Sequence, residues 1–518
     1  MNFVFDRERG LRIVAAAAVL IVPIVALLSL APRAQAAEVV FWDNWSGDPD
    51  SVSFAGIDGS GGGSLNLGGA TLEGPEGMAY DTVTNRLFVA SATGAKGEIL
   101  AIDLDGSGAA PLNTGAAPID SPQGVAVDPA TRTIYWTNTG AVESIGWANL
   151  DDGGGGQLNT AGATVNGAYK IALDPVAGRV YWANTTPEPN TISFANVNNS
   201  GGGNLDLTGA PGPLFISGLS VDPAAGRIYW LDNEGGRVGF ASLAGGGGGE
   251  VNLAGAPFNN PFGLAFDPSL GRVYWANYGG STEVRTNAIG FANIGGGVGG
   301  ITPAIAPVDG PQDPVILKSP TGTGAPVATR SIGDRAQLSC TVGSWAADFP
   351  GSFVYQAPRA FAYQWTHDGA PIAGATALSV DATAPGSYAC VVTATNQTGA
   401  ASQTSAAVVV KAAKAKLTVK RKAKAHPGGT ATFKVKVVNQ GDIQAAKNVK
   451  VCAKVPKKAK ADVKAPKCKK LGKLEGGGKG TAKLKFKVGS EASGTYKVTF
   501  RAKGIAGKPV KAKIVVAG

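Results

Sequence analysis

The stretch DPVAGRVYWAN, residues 174–184, recurs along the first part of the chain. It returns as DPAAGRIYWLD at 222–232 and as DPSLGRVYWAN at 267–277. Its aromatic pair has six versions, whose second members are Trp42, Val89, Trp136, Trp182, Trp230 and Trp275. These positions are 47, 47, 46, 48 and 45 residues apart, and so constant a period indicates a repeat architecture.

Each repeat has the pattern of short β-strands. An apolar strand such as Gly263–Asp267 leads into a turn with an arginine, followed by the aromatic strand, a third strand and a run of glycines. Apolar residues show no 3.6-residue period, and glycine with β-branched residues opposes helix. Four short strands in a unit of this length predict one blade of a β-propeller.

The units resemble the YWTD repeats of six-bladed propellers known from lipoprotein-receptor ectodomains. The motif that carries the resemblance is Gly-x-Ala-x-Asp-Pro…Gly-Arg-Val-Tyr-Trp-Ala-Asn, and it covers residues 39–318. The resemblance implies a six-bladed propeller over 37–318. The fourth residue of the aromatic motif is Asn or Asp in five of the six copies, namely Asn44, Asn138, Asn184, Asp232 and Asn277, and Ser91 in the second.

The first repeat lacks its own inner strand, because it begins directly with Val39-Val40-Phe41-Trp42. Residues 310–317 are similar to residues 121–127, which supply the inner strand before the aromatic pair Tyr135-Trp136. We therefore expect Val315 to Leu317 to pair into the first blade and close the ring, which leaves no open sheet edge.

The N-terminus has the pattern of a secretory signal peptide. Three arginines precede the apolar run Ile13–Ala31, and Ala34-Gln35-Ala36 provides a cleavage site. We assign 1–36 to the signal peptide and expect a secreted or extracellular protein, associated with the cell surface, with no transmembrane span after cleavage. The alternative is an uncleaved anchor, since 19 apolar residues can span a bilayer.

Residues 319–411 resemble an immunoglobulin-like domain. Cys340, Trp365, Tyr388 and Cys390 follow the Cys…Trp…Tyr-x-Cys order of that fold. The resemblance implies a disulfide between Cys340 and Cys390, with Trp365 packed against it and Tyr388 forming a tyrosine corner.

Residues 412–518 alternate lysine with apolar residues, as in Phe433–Val437 and Leu484–Val488. This period of two predicts half-buried antiparallel strands. The region resembles a bacterial immunoglobulin-like surface domain of the conserved-repeat kind, and we expect Cys452 and Cys468 to pair. The predicted fold class is all-β: a six-bladed β-propeller followed by two immunoglobulin-like β-sandwich domains.

The net charge of +10 conceals an uneven distribution. Residues 37–310 contain 9 basic and 26 acidic residues, a net of −17, whereas residues 411–518 contain 30 basic and 4 acidic residues, a net of +26. The lysines are suited to anionic cell-envelope polymers. Only Phe433 interrupts them between 411 and 458, which argues against base stacking and sequence-specific nucleic acid. The alternative is a solvated face that prevents edge pairing.

Every predicted blade has an acidic residue in the loop between its second and third strands. These form a candidate acidic ligand face: Asp48, Asp50, Glu98, Glu143, Glu188, Glu234 and Glu283. The alternative is that acids are simply common in solvated loops.

Two further sets recur in register with the repeats and are interpreted as structural. The first set is the turn aspartates, whose short side chains can hydrogen-bond to the backbone of the turn. They are Asp81, Asp128, Asp174, Asp222 and Asp267. Neighbouring arginines are candidate partners for them: Arg86, Arg132, Arg179, Arg227 and Arg272. The aromatic column is interpreted as core packing.

The residue inventory favours a non-enzymatic binding protein. No histidine lies in 37–318, so we expect no catalytic residues, metal or cofactor. The loop face of the propeller would bind an unknown protein or glycan ligand. We expect the protein to be a monomer. Two alternatives stay open: a propeller enzyme of lactonase or lyase type with a carboxylate-bound metal, and a purely structural envelope protein.

Overall fold

The computed structural model describes residues 38–45, 49–93, 97–279, 287–302, 308–331, 335–356 and 360–517. The predicted signal peptide lies outside these residues. Apart from two 3₁₀ turns, Pro350–Ser352 and Lys457–Ala459, the regular structure of the described residues is β-strand, so the all-β prediction is confirmed.

The repeat region forms antiparallel sheets whose strands follow one another along the chain. The sheets are β4 to β7, β8 to β11, β12 to β15, β16 to β19 and β20 to β23, and a further sheet has the order β24-β1-β2-β3. The strands are β1 (Val39–Asn44), β2 (Ser51–Gly56), β3 (Gly63–Ser64), β4 (Pro75–Asp81), β5 (Arg86–Ser91), β6 (Glu98–Asp103), β7 (Gly108–Pro111), β8 (Pro122–Asp128), β9 (Thr133–Asn138), β10 (Ser144–Asn149), β11 (Gly155–Gln157), β12 (Ala168–Asp174), β13 (Arg179–Asn184), β14 (Thr191–Asn196), β15 (Gly202–Asn204), β16 (Ile216–Asp222), β17 (Arg227–Asp232), β18 (Arg237–Ser242), β19 (Gly249–Glu250), β20 (Pro261–Asp267), β21 (Arg272–Asn277), β22 (Ala288–Asn293), β23 (Gly300–Ile301) and β24 (Pro311–Leu317).

The innermost strands of these sheets make a closed ring. Strands β4, β8, β12, β16, β20 and β24 contact one another in that order, and β24 contacts β4. Four-stranded sheets arranged radially about such a ring form a β-propeller.

The ring closes where the sequence predicts. Strand β24 pairs antiparallel with β1, with Val39 opposite Leu317 and Phe41 opposite Val315. The last inner strand therefore completes the sheet that begins with the first residues of the ring.

The end of the aromatic motif clasps the connection that enters the same sheet. Asn184 Oδ1 accepts hydrogen bonds from the backbone N–H of Asn166 at 3.0 Å and from Trp182 Nε1 at 3.2 Å. Trp182 Nε1 also donates to the carbonyl of Thr164 at 2.9 Å. The Asn138, Asp232 and Asn277 side chains accept equivalent bonds from a backbone N–H 18 residues upstream. In the first sheet Asn44 accepts from Asp309 N, so the same clasp also joins the two ends of the ring.

A second segment supports the inner ring from outside the repeats. Residues 349–356 form a tight loop containing the short strand β29 (Val354–Tyr355), which pairs parallel with β24. Ser352 Oγ donates to the carbonyl of Val221, and Tyr355 is fully buried, with its hydroxyl accepting from Tyr80 N and its ring 5.1 Å from that of Tyr80. These residues belong to the stretch predicted as a separate domain from 319, yet they pack into one end of the channel of the propeller.

The rest of the region 319–411 packs around a disulfide. Cys340 and Cys390 are bonded, as predicted, and Trp365 and Tyr388 are buried in the same cluster. Tyr388 Oη donates to the carbonyl of Ala384 at 2.9 Å. The strands are β25 (Gly322–Gly324), β26 (Ala328–Arg330), β27 (Gln337–Cys340), β28 (Ser344–Trp345), β30 (Ala360–His367), β31 (Ala370–Pro371), β32 (Ser379–Asp381), β33 (Gly386–Asn396), β34 (Gly399–Thr404) and β35 (Val408–Val410).

The lysine-rich region forms two sheets that enclose an apolar core. Their orders are β40-β42-β38-β36-β44 and β37-β45-β43-β39-β41. The second predicted disulfide, Cys452–Cys468, is also confirmed. The strands are β36 (Lys414–Thr418), β37 (Lys422–Ala425), β38 (Thr430–Asn439), β39 (Val449–Lys454), β40 (Val463–Lys464), β41 (Lys469–Gly472), β42 (Lys479–Val488), β43 (Gly494–Lys503), β44 (Ala506–Gly507) and β45 (Val510–Val516).

The clasp makes a direct prediction about stability. Asn184→Ala should lower the free energy of unfolding by about 2 kcal/mol, because the N–H of Asn166 loses its acceptor and the buried Ser193 hydroxyl loses a partner. The melting temperature in scanning calorimetry measures this loss. The control is Asn198→Ala in the exposed turn after β14, which should change stability by less than about 0.5 kcal/mol. Equal effects of the two substitutions would contradict a special role for the clasp.

The packing of the loop 349–356 gives a second prediction about stability. Tyr355→Phe should cost about 1 kcal/mol, since it removes one hydrogen bond, and Tyr355→Ala about 3–5 kcal/mol, since it leaves a cavity in the channel. Both losses should appear in the unfolding transition of the propeller, followed by the fluorescence of its buried tryptophans. A propeller transition unchanged by Tyr355→Ala would show that the loop does not support the ring.

Candidate functional site

The third residue of each inner strand faces the narrow channel at the centre of the ring. Four of the six strands have glycine there, at Gly77, Gly124, Gly218 and Gly263. A Cβ on Gly77 would lie 2.3 Å from the carbonyl oxygen of Gln123, so the ring is too tight for a side chain at that point. The two exceptions are Lys170 on β12 and Asp313 on β24.

Lys170 and Asp313 fill the channel together. Lys170 Nζ lies 2.7 Å from Asp313 Oδ2 and also donates to the carbonyl of Glu76. Glu76 Oε2, 3.9 Å from the same ammonium, accepts from the hydroxyl of Tyr169 at 2.7 Å. These residues form the channel floor, which blocks the passage below the opening of the propeller.

Asp43 adds an uncompensated carboxylate to this floor. Its side chain is fully buried, and neither oxygen accepts a hydrogen bond from any described residue. Burial, followed by repulsion from Asp313, raises the pKa of Asp43 well above 3.8. Burial likewise raises the pKa of Asp313 to about 6, although Lys170 lowers it. Burial and the charge of Glu76 raise the pKa of the Tyr169 hydroxyl.

Above the channel floor the propeller opens into a cavity of about 570 Å³, which we call the mouth. An arc of five aromatic rings lines one side of it, with neighbouring centroids 5.8–6.5 Å apart. The arc runs through Trp45, Tyr278, Phe262, Phe215 and Tyr169.

The opposite side of the mouth is polar. Glu76, Gln123, Glu143 and Gln312 line it, and of the described residues in the lining none is lysine or arginine. Gln312 is 3% exposed, and its Oε1 has no hydrogen-bond partner among the described residues. The mouth therefore offers aromatic faces and hydrogen-bond acceptors rather than positive charge.

The predicted acidic ligand face is only partly brought together. Glu143 lines the mouth, but its Oε2 accepts from the backbone N–H of Gly167, and Asp50 accepts from Gly74 N in the same way. These two carboxylates tie one sheet to the next. Glu98 is half-buried at the start of β6, Glu188 and Glu234 are exposed, and Asp48 and Glu283 lie outside the described residues.

The residues predicted to be structural lie in the core. The five tryptophans Trp42, Trp136, Trp182, Trp230 and Trp275 are fully buried, and the turn aspartates Asp81, Asp128, Asp174, Asp222 and Asp267 are buried with their carboxylates on turn N–H groups.

The arginines do not pair with the aspartates of their own turns. Arg132 reaches Asp81 of the preceding sheet at 2.6 Å, and Arg86 binds Asp103 instead. Arg179, Arg227 and Arg272 lie over the rings of Phe194, Phe240 and Phe291. Each of these rings stands opposite the tyrosine two residues after the arginine, on the same face of the sheet.

The sequence contained a signal for the channel floor that repeat alignment can detect. Lys170 and Asp313 occupy a column that is otherwise glycine, and a charged pair in such a column indicates contact across the ring. Trp45 and Tyr278 directly follow the aromatic motif, outside the repeated pattern, and were not predicted.

Among the described residues no group of three or more His, Cys, Asp or Glu side chains is arranged to hold a metal ion. Nor does that part of the chain include a helix with the length and apolarity to cross a membrane.

The chain has weak structural similarity to known proteins. No family model matches the chain, and no curated protein does so. Among solved structures it is similar to a chain of a nidogen/laminin complex, with 17% identity, 54% of this chain and 97% of that chain covered, and a TM-score of 0.42. TolB from Acinetobacter baumannii is 10% identical, with 55% and 67% covered and a TM-score of 0.42. A gluconolactonase from Xanthomonas campestris is 14% identical, with 60% and 96% covered and a TM-score of 0.37.

The uncompensated carboxylate predicts that the site is strained in the free protein. Asp43→Asn should stabilise the protein at pH 7.5 by about 1–3 kcal/mol, because asparagine avoids the cost of either burying the carboxylate charge or protonating it. The folded pKa of Asp43 is raised, so wild-type stability falls as pH rises from about 4 through that pKa, and the advantage of the variant should vanish below about pH 4. Denaturant unfolding at both pH values measures it. A variant that is less stable than wild type at pH 7.5 would contradict the assignment.

Proposed function

We propose that the chain is a secreted or cell-surface-associated binding protein without enzymatic activity. Its sheets β1 to β24 are the blades of a six-bladed propeller with YWTD-like repeats, which presents a protein or glycan ligand site. The region 319–411 is an immunoglobulin-like spacer, and the lysine-rich domain, 412–518, is a second immunoglobulin-like sandwich that holds to anionic envelope polymers. The two disulfides fit an extracellular location.

The observation that carries the anchoring role is the composition of one face of the lysine-rich domain. On β38 and β42 every second residue is buried, and between them the exposed side chains are only lysine and threonine. The exposed lysines of this sheet, which we call the lysine face, are Lys414, Lys416, Lys434, Lys436, Lys464, Lys479, Lys483, Lys485 and Lys487.

The lysine face leaves like charges close together. Lys434 stands opposite Lys483, and Lys464 opposite Lys487, in the antiparallel register. Like charges directly opposite one another destabilise a sheet, and no exposed acid lies on these strands. An anionic polymer would supply the missing charge, since strands about 4.8 Å apart and residues about 6.8 Å apart along a strand form a regular grid of ammonium groups.

The ligand site of the propeller is the mouth, which the aromatic arc lines above a blocked channel. The buried, unpartnered acceptor of Gln312 belongs to its lining, and those of Asp43 lie beside Gln312 on the neighbouring strand. A metal-dependent enzyme is the weaker alternative, because Lys170 Nζ occupies the position between Asp313 and Glu76 that a cation would need. A purely structural role gives no reason for these unpartnered groups.

The anchoring role is tested by removing charge from the lysine face. Replacing Lys434, Lys436, Lys483 and Lys485 together with threonine should weaken binding of the full chain to dextran sulfate and to isolated bacterial envelope. The slope of log K against log salt should fall by up to about 3, roughly one counterion per lysine. Threonine already occupies neighbouring exposed positions, so the sheet should fold unchanged.

The matched control replaces the same four lysines with arginine, which keeps the charge and should keep the slope. If the threonine variant binds with the wild-type slope, the lysines are a solvated face and the anchoring role is wrong.

A further inference from the structure

We propose that the mouth of the propeller binds a primary ammonium group on an apolar stem, such as the side chain of a lysine in a partner protein. This inference rests on the proposed function, because it names the chemistry of the ligand that the propeller would bind. It is carried by three features in and beside the mouth: ring faces, more carboxylates than cations, and buried acceptors without donors.

The aromatic arc provides the surface for the stem and for the charge. Five rings that lie in or directly flank four different sheets form one continuous wall, and Trp45 is 43% exposed at its outer end. The face of an aromatic ring is electronegative and attracts a cation within about 6 Å, most strongly for tryptophan. The same faces bury methylene groups.

The charges at the mouth favour a cation. Glu76 and Glu143 line it, and Asp43 and Asp313 lie in or beside the channel floor. The one cation among these residues, Lys170, is already bound to Asp313 and the carbonyl of Glu76 and lies 4.5 Å from the ring of Tyr169. The described lining has no lysine or arginine to receive an anion.

The unpartnered atoms distinguish a primary ammonium from other cations. Gln312 lines the mouth, and its buried Oε1 has no donor among the described residues; both buried carboxylate oxygens of Asp43 also lack one. On β1 and β24 these two residues stand opposite each other. A buried acceptor is ordinarily satisfied. An ammonium carries three N–H donors and no acceptor, whereas a quaternary ammonium has charge but no donor.

The proposal also gives the direction of its pH dependence. The groups that face the ligand position are Asp43 on β1, Glu76 on β4, Tyr169 and Lys170 on β12, Asp313 on β24, and Asp50 and Glu143 in the connecting loops. Because the pKa of Asp313 is about 6, this carboxylate becomes neutral as pH falls from 7.5 to 5. Affinity for an ammonium should therefore decrease between pH 7.5 and pH 5.

The test uses the full chain and three probes of one shape. Nα-acetyl-lysine methylamide carries charge and donors, its trimethyllysine analogue carries charge alone, and Nα-acetyl-norleucine methylamide carries neither. Titration calorimetry at pH 7.5 should give at least tenfold tighter binding for the lysine probe than for the norleucine probe, with the trimethyllysine probe between them. Comparing the binding of glucosamine with that of N-acetylglucosamine tests whether an amino sugar binds as tightly as a lysine side chain.

One substitution in the mouth, with a matched control elsewhere, tests whether the probe binds there. Trp45→Leu should weaken binding of the lysine probe at least fivefold, and because Trp45 is exposed the fold should not change. The matched control is Phe361→Leu, which removes a ring with 41% exposure that contacts Trp345 outside the propeller, and it should leave binding unchanged.

The outcomes separate this proposal from the proposed function. Equal binding of the lysine and norleucine probes, with both weakened by Trp45→Leu, would overturn the ammonium and leave a ligand site in the mouth. Tighter binding of the trimethyllysine probe would overturn the role of the unpartnered acceptors. Binding of the lysine probe that Trp45→Leu does not alter would overturn the location. None of these results affects the binding of polyanions by the lysine face.

Discussion

The architecture depends on a hydrogen-bonded clasp between the end of each aromatic strand and the connection that enters the same sheet. In the fourth repeat Asn184 accepts the N–H of Asn166, and Trp182 donates to the carbonyl of Thr164. The clasp fixes where each inner strand starts, so the glycine-rich loops elsewhere need not carry structural information. Ser91, the one departure from Asn or Asp, bonds both the N–H and the carbonyl of Glu73 and so replaces the clasp with a shorter side chain.

The clasp also determines what can happen at the centre of the ring. With every inner strand held in the same register, the third residues converge, and the close approach at Gly77 and Gly263 leaves no space for a side chain. Lys170 and Asp313 are accommodated because they meet each other. Their ion pair closes the channel below the mouth, while the loop 349–356 fills the channel from the other end. The central channel is therefore closed below the mouth and leaves a concave cavity, the usual shape of a ligand-binding site.

The sequence was sufficient for features set by a repeating pattern. The period of the aromatic motif, the closure by Val315 to Leu317 and both cysteine pairs depend on local pattern or on spacing, and all are present in the structure. The mouth depends on departures from the pattern. Tyr169 and Phe262 occupy a column shared with Glu76 and Gln312, and only the closed ring shows that this column lines one opening. The loop 349–356 has no repeat and no spacing rule, so its position follows from tertiary packing alone.

Charge is left uncompensated in two parts of this chain, and the physical argument is the same in both. Buried carboxylates normally accept hydrogen bonds or pair with a cation. Neither oxygen of Asp43 accepts a hydrogen bond from a described residue. Exposed strands normally mix signs, yet the lysine face opposes Lys434 with Lys483. Each arrangement lowers the stability of the free protein, and each would be relieved by a partner of opposite charge. The two signs differ, so one partner cannot relieve both. A protein built in this way would join a polyanion at one end to a cationic group at the other.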